Sequence, residues 1–353
     1  MKTLIIAREF PIKHRDILIA SLFPEKINIE FIVWNRHGRL NKPDKNTYVF
    51  KSKIEKLRSI KFFLLVKEYV RFIDDIISKT NPQLLIISHY SLYLPFLLLS
   101  KKRDIKIILD VHDLPSFNNI ISFQLALLIE KIIIRNVNYL FLASKYFKPF
   151  YSGKKTLVID NIPPNQNSNT NSIKSIKNGI IRIGFVGKLR YPDLYKLVIE
   201  CINKFDNLQF HFYGDGSAEE ILKDFSNKQN TNNVFFHGLF NKNELKKIYS
   251  EIDLLWACYP HSNYNVKYAT SNKALESLHF NTPCVFSSGT MLAKDYESKN
   301  LGFSINPINK AEIIYFFKNL NREKLYIVSK NIFDVDTPSI NSYRQSLNDF
   351  LQL

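Results

Sequence analysis

Short apolar runs alternate with longer amphipathic ones over most of the chain. Leu4 to Ala7, Ile27 to Trp34, Leu84 to Ser88, Ile105 to Val111 and Leu140 to Leu142 are brief and nearly continuous in apolar residues, which predicts buried strands. Helix-length patterns lie between several of them, at Ile54 to Ser78, Tyr90 to Ser100 and Ile120 to Asn136. Strands alternating with helices predict a parallel sheet covered on both faces, with ligands bound beyond the C-terminal ends of the strands. Arg8, His89 and the pair His112-Asp113 are the residues expected there. The alternation restarts with a strand at Ile180 to Val186, a helix at Leu194 to Phe205 and a strand at Leu208 to Tyr213. The fold class is therefore α/β, with two such domains.

Between them the pattern breaks. Gln166 to Asn178 is polar, poor in apolar side chains and rich in Asn and Ser, which predicts a flexible linker. The expected organisation is an N-terminal domain over 1–165, a linker over 166–179, a second domain over 180–330 and a terminal helix within 331–353. In that last segment Tyr343, Leu347, Phe350 and Leu351 follow i, i+4, i+7, i+8 spacing and need a partner surface. With 353 residues, 45% of them hydrophobic, the chain can bury two cores of ordinary size.

Charge changes this picture. The formal net charge is +17, and residues 1–165 carry 27 Lys plus Arg against 14 Asp plus Glu, a balance of +13. Such an excess calls for a partner of opposite sign. No nucleic-acid-binding motif accompanies it, so nucleic acid is not the expected partner. An anionic membrane surface fits better. Lys101, Lys102, Arg103 and Lys106 follow the apolar Leu92 to Leu99, and Lys51, Lys53, Lys56, Arg58, Lys61, Lys67 and Arg71 recur through a segment holding Phe62, Phe63, Leu64, Leu65 and Val66. Each basic residue near an anionic surface contributes about 1 kcal/mol. A solvated helix face is the alternative. No run reaches the roughly 18 uncharged residues of a membrane span, and Thr3 to Ala7 is too short for a signal peptide. Cys201, Cys258 and Cys284 are widely spaced, which suggests a reducing compartment and no structural zinc.

Chemistry concentrates in the second half. Thr270, Ser271 and Asn272 are N-cap residue types, and Ala274, Leu275, Leu278 and Phe280 give the following helix an apolar face until Asn281, Thr282 and Pro283 stop it. A helix opening after a polar loop presents unpaired N–H groups and partial positive charge. Lys273 in its first turn opposes that dipole by roughly 0.3 to 1 kcal/mol, so an anionic ligand is a sensible reason for it. Glu276, three residues on, shares the face of Lys273, and a plain i, i+3 ion pair is the alternative. Earlier, Gly187 permits close backbone approach after the strand ending at Val186, and Lys188 and Arg190 could neutralise a diphosphate. Gly214-Asp215-Gly216 is a turn rather than a dinucleotide fingerprint, because Glu219 occupies the third glycine position.

Asn272-Lys273-x-x-Glu276, followed by Asn281-Thr282-Pro283-Cys284-Val285, resembles the donor-site signature of the retaining glycosyltransferases of family 4, the group 1 family with the GT-B fold. The fuller signature is Glu-x7-Glu; here Tyr268 stands at the earlier position, as in a variant branch that keeps the Asn-Lys-x-x-Glu half. Val111-His112-Asp113-Leu114 resembles the family's Val-His-Asp-Leu stretch, and the order of motifs over residues 180–305 is similar throughout, the N-terminal half only loosely so.

The resemblance implies two Rossmann-like domains facing across a cleft, with the acceptor on the first domain. Gly187, Lys188, Arg190, Gly214, Ser271, Asn272, Lys273 and Glu276 would bind the donor, with Leu239 and Phe240 at the nucleotide base. His112, close to the transferred sugar, Asp113 and Glu276 are the implied catalytic residues, and the terminal helix would cross back onto the N-terminal domain. The implied function is transfer of a sugar from a nucleotide diphosphate donor to a cell-surface glycan or lipid-linked precursor, such as capsule or lipopolysaccharide. Retention at the anomeric carbon, no cofactor, no metal, and a cytoplasmic location on the inner face of the cell membrane go with it. A sugar-nucleotide 2-epimerase and a non-catalytic sugar-nucleotide-binding partner of another transferase are the alternatives.

Overall fold

The computed structural model describes residues 1–36, 38, 43–52, 60–99, 103–163, 179–337 and 339–353, so the expected linker at Gln166 to Asn178 lies outside the described residues. The chain forms two compact units, one of residues 1–115, 119–161 and 338–353, the other of 116–118 and 162–337.

In chain order the elements are β1 (Lys2–Ile6), α1 (His14–Leu22), β2 (Asn28–Asn35), β3 (Thr47–Lys51), α2 (Ile60–Thr80), β4 (Leu84–Ser88), α3 (Tyr90–Leu99), β5 (Lys106–Val111), α4 (Ile120–Ile133), β6 (Tyr139–Leu142) and β7 (Lys155–Val158). There follow β8 (Ile181–Val186), α5 (Pro192–Ile202), β9 (Leu208–Tyr213), α6 (Glu219–Lys228), β10 (Val234–Gly238), α7 (Leu245–Glu251), β11 (Leu254–Ala257), α8 (Tyr264–Tyr268), α9 (Asn272–His279), β12 (Cys284–Ser287), α10 (Met291–Ser298), β13 (Phe303–Ile305), α11 (Lys310–Asn319), α12 (Arg322–Phe333) and α13 (Ile340–Leu351).

In the first unit the strands pair in parallel in the order β3-β2-β1-β4-β5-β6-β7. Its central strands are fully buried, with Leu4, Ile5, Ile32, Ile86, Ile87, Leu109 and Leu140 all at 1% exposure or less, as a sheet covered on both faces requires. The order reverses between β1 and β4, the position where parallel sheets open a crevice at their C-terminal ends. The apolar pattern missed α1 and β3. Arg15 and Asp16 interrupt the buried face of α1, and β3 is a half-buried edge strand. The terminal helix α13 packs within this unit. Leu347 is fully buried, the Tyr343 hydroxyl donates to Asp160 at 2.7 Å, and the Phe350 ring lies 5.4 Å from Tyr139.

The second unit has parallel strands in the order β10-β9-β8-β11-β12-β13. Aromatic side chains fill its core: the Phe210 ring sits 4.7 Å from Phe212 and 5.7 Å from Trp256, and Phe185 lies 4.9 Å from Tyr195.

One surface expectation changes. Arg103 does not join an open basic run, because its guanidinium is held by Asp74 and donates to Ser78 Oγ at 2.9 Å; Lys101 and Lys102 lie outside the described residues, as do Lys53, Lys56 and Arg58. No described helix is long and apolar enough to cross a membrane.

Helix α4 combines unlike faces. Its inner face buries Phe123, Leu127 and Glu130. The Tyr151 hydroxyl donates to Glu130 Oε1 at 3.0 Å, while Oε2 has no partner among the described residues, and burial pushes the carboxyl up to about 7 despite the Tyr151 bond. A carboxyl whose folded pKa is raised gives its full stability below the unfolded value, and that stability is lost as pH rises through the folded one. Stability of the first unit should therefore fall between pH 4.5 and about 7. Urea unfolding across this range should show Glu130→Gln free of the loss, a difference on the order of 3 kcal/mol by pH 8. Parallel pH profiles for the two proteins would contradict this.

Candidate functional site

In the second unit the C-terminal ends of β8, β9 and β10 are laced together by backbone. Gly187 N donates to Tyr213 O at 2.8 Å, Leu189 N to Asp215 O at 2.8 Å, and Gly214 N to Gly238 O at 2.7 Å. There is no room for side chains between the two turns. Gly214 has φ +127°, and a Cβ on it would fall on the carbonyl oxygen of Gly187, within 2.8 Å of its carbon; Gly216, at φ +154°, would strike Leu189 in the same way. Gly-Asp-Gly thus packs one turn against the next. Its Asp215 holds Lys188, with Nζ to Oδ1 at 3.1 Å, so the exposed Lys188 is an ion-paired cation.

Helix α9 brings its first turn to the same place. Ser271 is the N-cap and accepts from Lys273 N at 3.2 Å. A Cβ on Gly187 would lie 3.7 Å from Lys273 Cε, so the lysine stem runs alongside the glycine turn. The Lys273 ammonium pairs with Glu276, and both side chains are only 12% exposed, which makes this a buried pair rather than a surface one. Tyr249 also donates to Glu276. Burial lifts its hydroxyl well above the usual range and Glu276 lifts it further, so it remains a donor. Both contacts fall on Glu276 Oε2; among the described residues Oε1 takes none. The Tyr296 hydroxyl holds the helix from below through Ala274 O at 3.1 Å. A cavity of about 150 Å³ adjoins the N-cap, lined by Tyr259, Ala269, Ser271, Ser287 and Thr290 among others.

Not every expected donor residue converges there. Arg190 is exposed, and Leu239, 77% exposed, follows β10 with the half-buried Phe240. β10 is the edge strand, two strands from β8, so these two residues sit roughly 10 Å along the sheet from the glycine turn. Tyr268 closes the short helix α8, and Lys267 lies over its ring at 5.9 Å.

The first unit carries a second charged cluster at the end of β5. Arg15 of α1 makes a fork on Asp110, Nε to Oδ2 at 2.8 Å and Nη2 to Oδ1 at 2.6 Å, and its Nη1 donates to Ile159 O at 2.8 Å. His112 Nε2 meets Asp110 Oδ2. Burial alone would push the Asp110 carboxyl up, but Arg15 and His112 outweigh it and hold it below the usual carboxylate range. An ionised carboxylate only accepts, so Nε2 of His112 is the donor, and in the neutral ring Nδ1 is the acceptor. Nearby, His89 has φ +83° and its ring lies 6.2 Å from that of His112; burial, then Arg8, lowers its pKa to about 4, so it is neutral at pH 7. Asp16 accepts from Ser88, and burial raises it. Asp113 is exposed, and the carboxylate that holds His112 is Asp110. The adjacency of His112 and Asp113 hid this partner. The signal was a charged residue inside the apolar run Ile107-Ile108-Leu109-Asp110-Val111, since a buried carboxylate needs a cation.

Two parallel-sheet α/β units of this kind are the GT-B architecture of glycosyltransferases. Sucrose-phosphate synthase from Thermosynechococcus elongatus has a TM-score of 0.69 at 13% identity, covering 100% of this chain and 97% of that one. The lipopolysaccharide outer core galactosyltransferase WaaB, in its apo form, gives 0.63 at 17% identity over 100% and 99%. Anabaena HepE, in complex with UDP and glucose, gives 0.66 at 13% over 100% and 99%. No curated protein matches by sequence. Residues 181–316 match the family described as glycosyl transferases group 1. The second unit therefore contains a group 1 glycosyltransferase domain, which sets the enzyme class.

Variants at the buried pair separate a ligand role from a structural one. Removing one member of a buried pair costs stability in any case, so binding is the informative readout. Lys273→Ala should weaken nucleoside diphosphate binding by about 10- to 100-fold in calorimetry. Glu276→Gln should leave it within a few-fold. Unchanged binding in a folded Lys273→Ala protein would make the pair structural.

Proposed function

We propose that the protein transfers a sugar from a nucleotide diphosphate donor to a cell-surface glycan or its lipid-linked precursor, in the manner of capsule or lipopolysaccharide assembly. One observation supports this most: within the group 1 segment, the Gly187 turn and the first turn of α9, with Lys273 and Glu276, meet at the strand ends. Lys273 and the α9 N-terminus stabilise the diphosphate as negative charge develops on it, and Glu276, through Oε1, accepts from a ribose or sugar hydroxyl. Lys188 and Arg190 add positive charge, and Leu239 and Phe240 hold the base. The Asn272-Lys273-x-x-Glu276 signature favours the family 4 branch and retention at the anomeric carbon. We assign His112 to the transferred sugar, with Asp110 as its positioning carboxylate and Asp113 beside it.

The acceptor's lipid-linked character and the charge excess of residues 1–165 support a cytoplasmic protein held peripherally on the inner face of the cell membrane. Lys51, Lys67 and Arg71, all exposed, contribute to that attraction.

Radiolabelled nucleotide sugars, offered with and without extracted glycolipid acceptors, should give product only when both are present. Turnover of a nucleotide sugar alone would favour the 2-epimerase, and binding without turnover the non-catalytic partner. His112→Ala should lower transfer at least about 100-fold while nucleoside diphosphate affinity stays within a few-fold. Unchanged transfer would remove His112 from the reaction.

A further inference from the structure

Helix α4 is apolar on the pole opposite its buried face. Ile121 (72% exposed), Leu125 (57%), Leu128 (57%), Ile129 (50%) and Ile132 (65%) follow i, i+4, i+7, i+8, i+11 spacing, so they form one stripe along the helix. Phe123, Leu127 and Glu130 define the buried side, about half a turn away. An apolar all-round helix is normally buried, and five contiguous exposed aliphatic side chains exceed the scattered ones of an ordinary surface.

The surrounding charges identify what covers the stripe. From residue 116 to 155 the chain has six basic residues, Lys131, Arg135, Lys145, Lys148, Lys154 and Lys155, and one acidic residue, the buried Glu130. Lys131 and Arg135 are exposed at the end of α4. Lys145 and Lys148 are exposed on the segment Lys145–Tyr151, which packs against α4 through the Phe150 and Phe123 rings, 5.6 Å apart. The stripe contains only Leu and Ile. Protein interfaces are anchored by Trp, Tyr and Arg within a polar rim, whereas an aliphatic stripe on a basic stretch of chain with no exposed acid is complementary to an anionic bilayer.

We infer that α4 lies in the plane of an anionic membrane, with Ile121, Leu125, Leu128, Ile129 and Ile132 among the acyl chains and Lys131, Arg135, Lys145 and Lys148 at the phosphates. This rests on the membrane association proposed above and names the surface that makes it. Electrostatic attraction draws the basic unit to the bilayer, and apolar insertion of α4 makes the contact persist at salt concentrations that screen charge.

The experiment uses the full-length protein with vesicles of phosphatidylglycerol and phosphatidylcholine, or of phosphatidylcholine alone. Leu125→Gln/Leu128→Gln/Ile132→Gln, all at exposed positions, should reduce partition into the anionic vesicles by about tenfold or more. Urea unfolding of the triple variant should keep the parent's midpoint, as expected for substitutions at exposed positions. A second variant, Leu128→Trp, reports depth: Trp34 and Trp256 are both 1% exposed, so the added indole alone should be quenched by brominated acyl chains. If the parent binds no anionic vesicle, the membrane association itself fails. If the parent binds and the triple variant binds equally, or the Leu128→Trp fluorescence is not quenched, membrane association stands and α4 is not its surface. Conversion of a dimeric parent to a monomer by the triple variant would assign the stripe to a second copy of the chain and overturn the lipid reading.

Discussion

The donor site proposed for the second unit depends on two backbone turns approaching more closely than any side chain allows. Gly214 presses on the carbonyl of Gly187 and Gly216 on Leu189, so β8 and β9 end at one level and their turns act as one rigid surface. Lys273 can then run along Gly187, and Lys188 can reach Asp215. The aromatic packing of Phe185, Phe210 and Phe212 beneath fixes the strands that carry the turns. A methyl group at Gly214 would push the turns apart and shift every cation placed by them.

Each unit also carries a buried charge cluster, and the two follow one logic. An ionised group removed from water needs an opposite charge and enough hydrogen bonds to satisfy it. Asp110 has Arg15 and His112; Glu276 has Lys273 and Tyr249. Apolar residues of similar volume would often serve stability as well or better, so such clusters are weak evidence of stabilisation. Their worth lies in orientation. The fork of Arg15 fixes the Asp110 carboxylate, which fixes the ring of His112, and Tyr249 fixes the carboxylate of Glu276.

Much of the fold was legible because parallel strands buried on both faces are written as unbroken apolar runs, as at Leu84-Leu85-Ile86-Ile87. What could not be read had a physical cause. Helix α1 hides behind Arg15 and Asp16, whose burial is intelligible only once Asp110 and Ser88 are beside them. The edge strand β3 has too weak a pattern to stand alone. Adjacent positions on a strand point to opposite sides while alternate ones share a side, so the partner of His112 is two residues back, at Asp110. Spacing did place Glu276 on the same helix face as Lys273, but it could not tell a solvated pair from a buried one. In α4 the apolar residues announced a helix without saying that five of them would form one outward-facing stripe.

Hydrogen–deuterium exchange of the intact protein, with and without nucleoside diphosphates, tests the location of the donor site most directly. The expected result is slower exchange of the backbone amides of residues 187–190 and 271–274, with the strand ends of the second unit as the main protected region. Protection confined to other segments, or none at concentrations that saturate binding, would contradict a donor site built on the Gly187 turn and the first turn of α9.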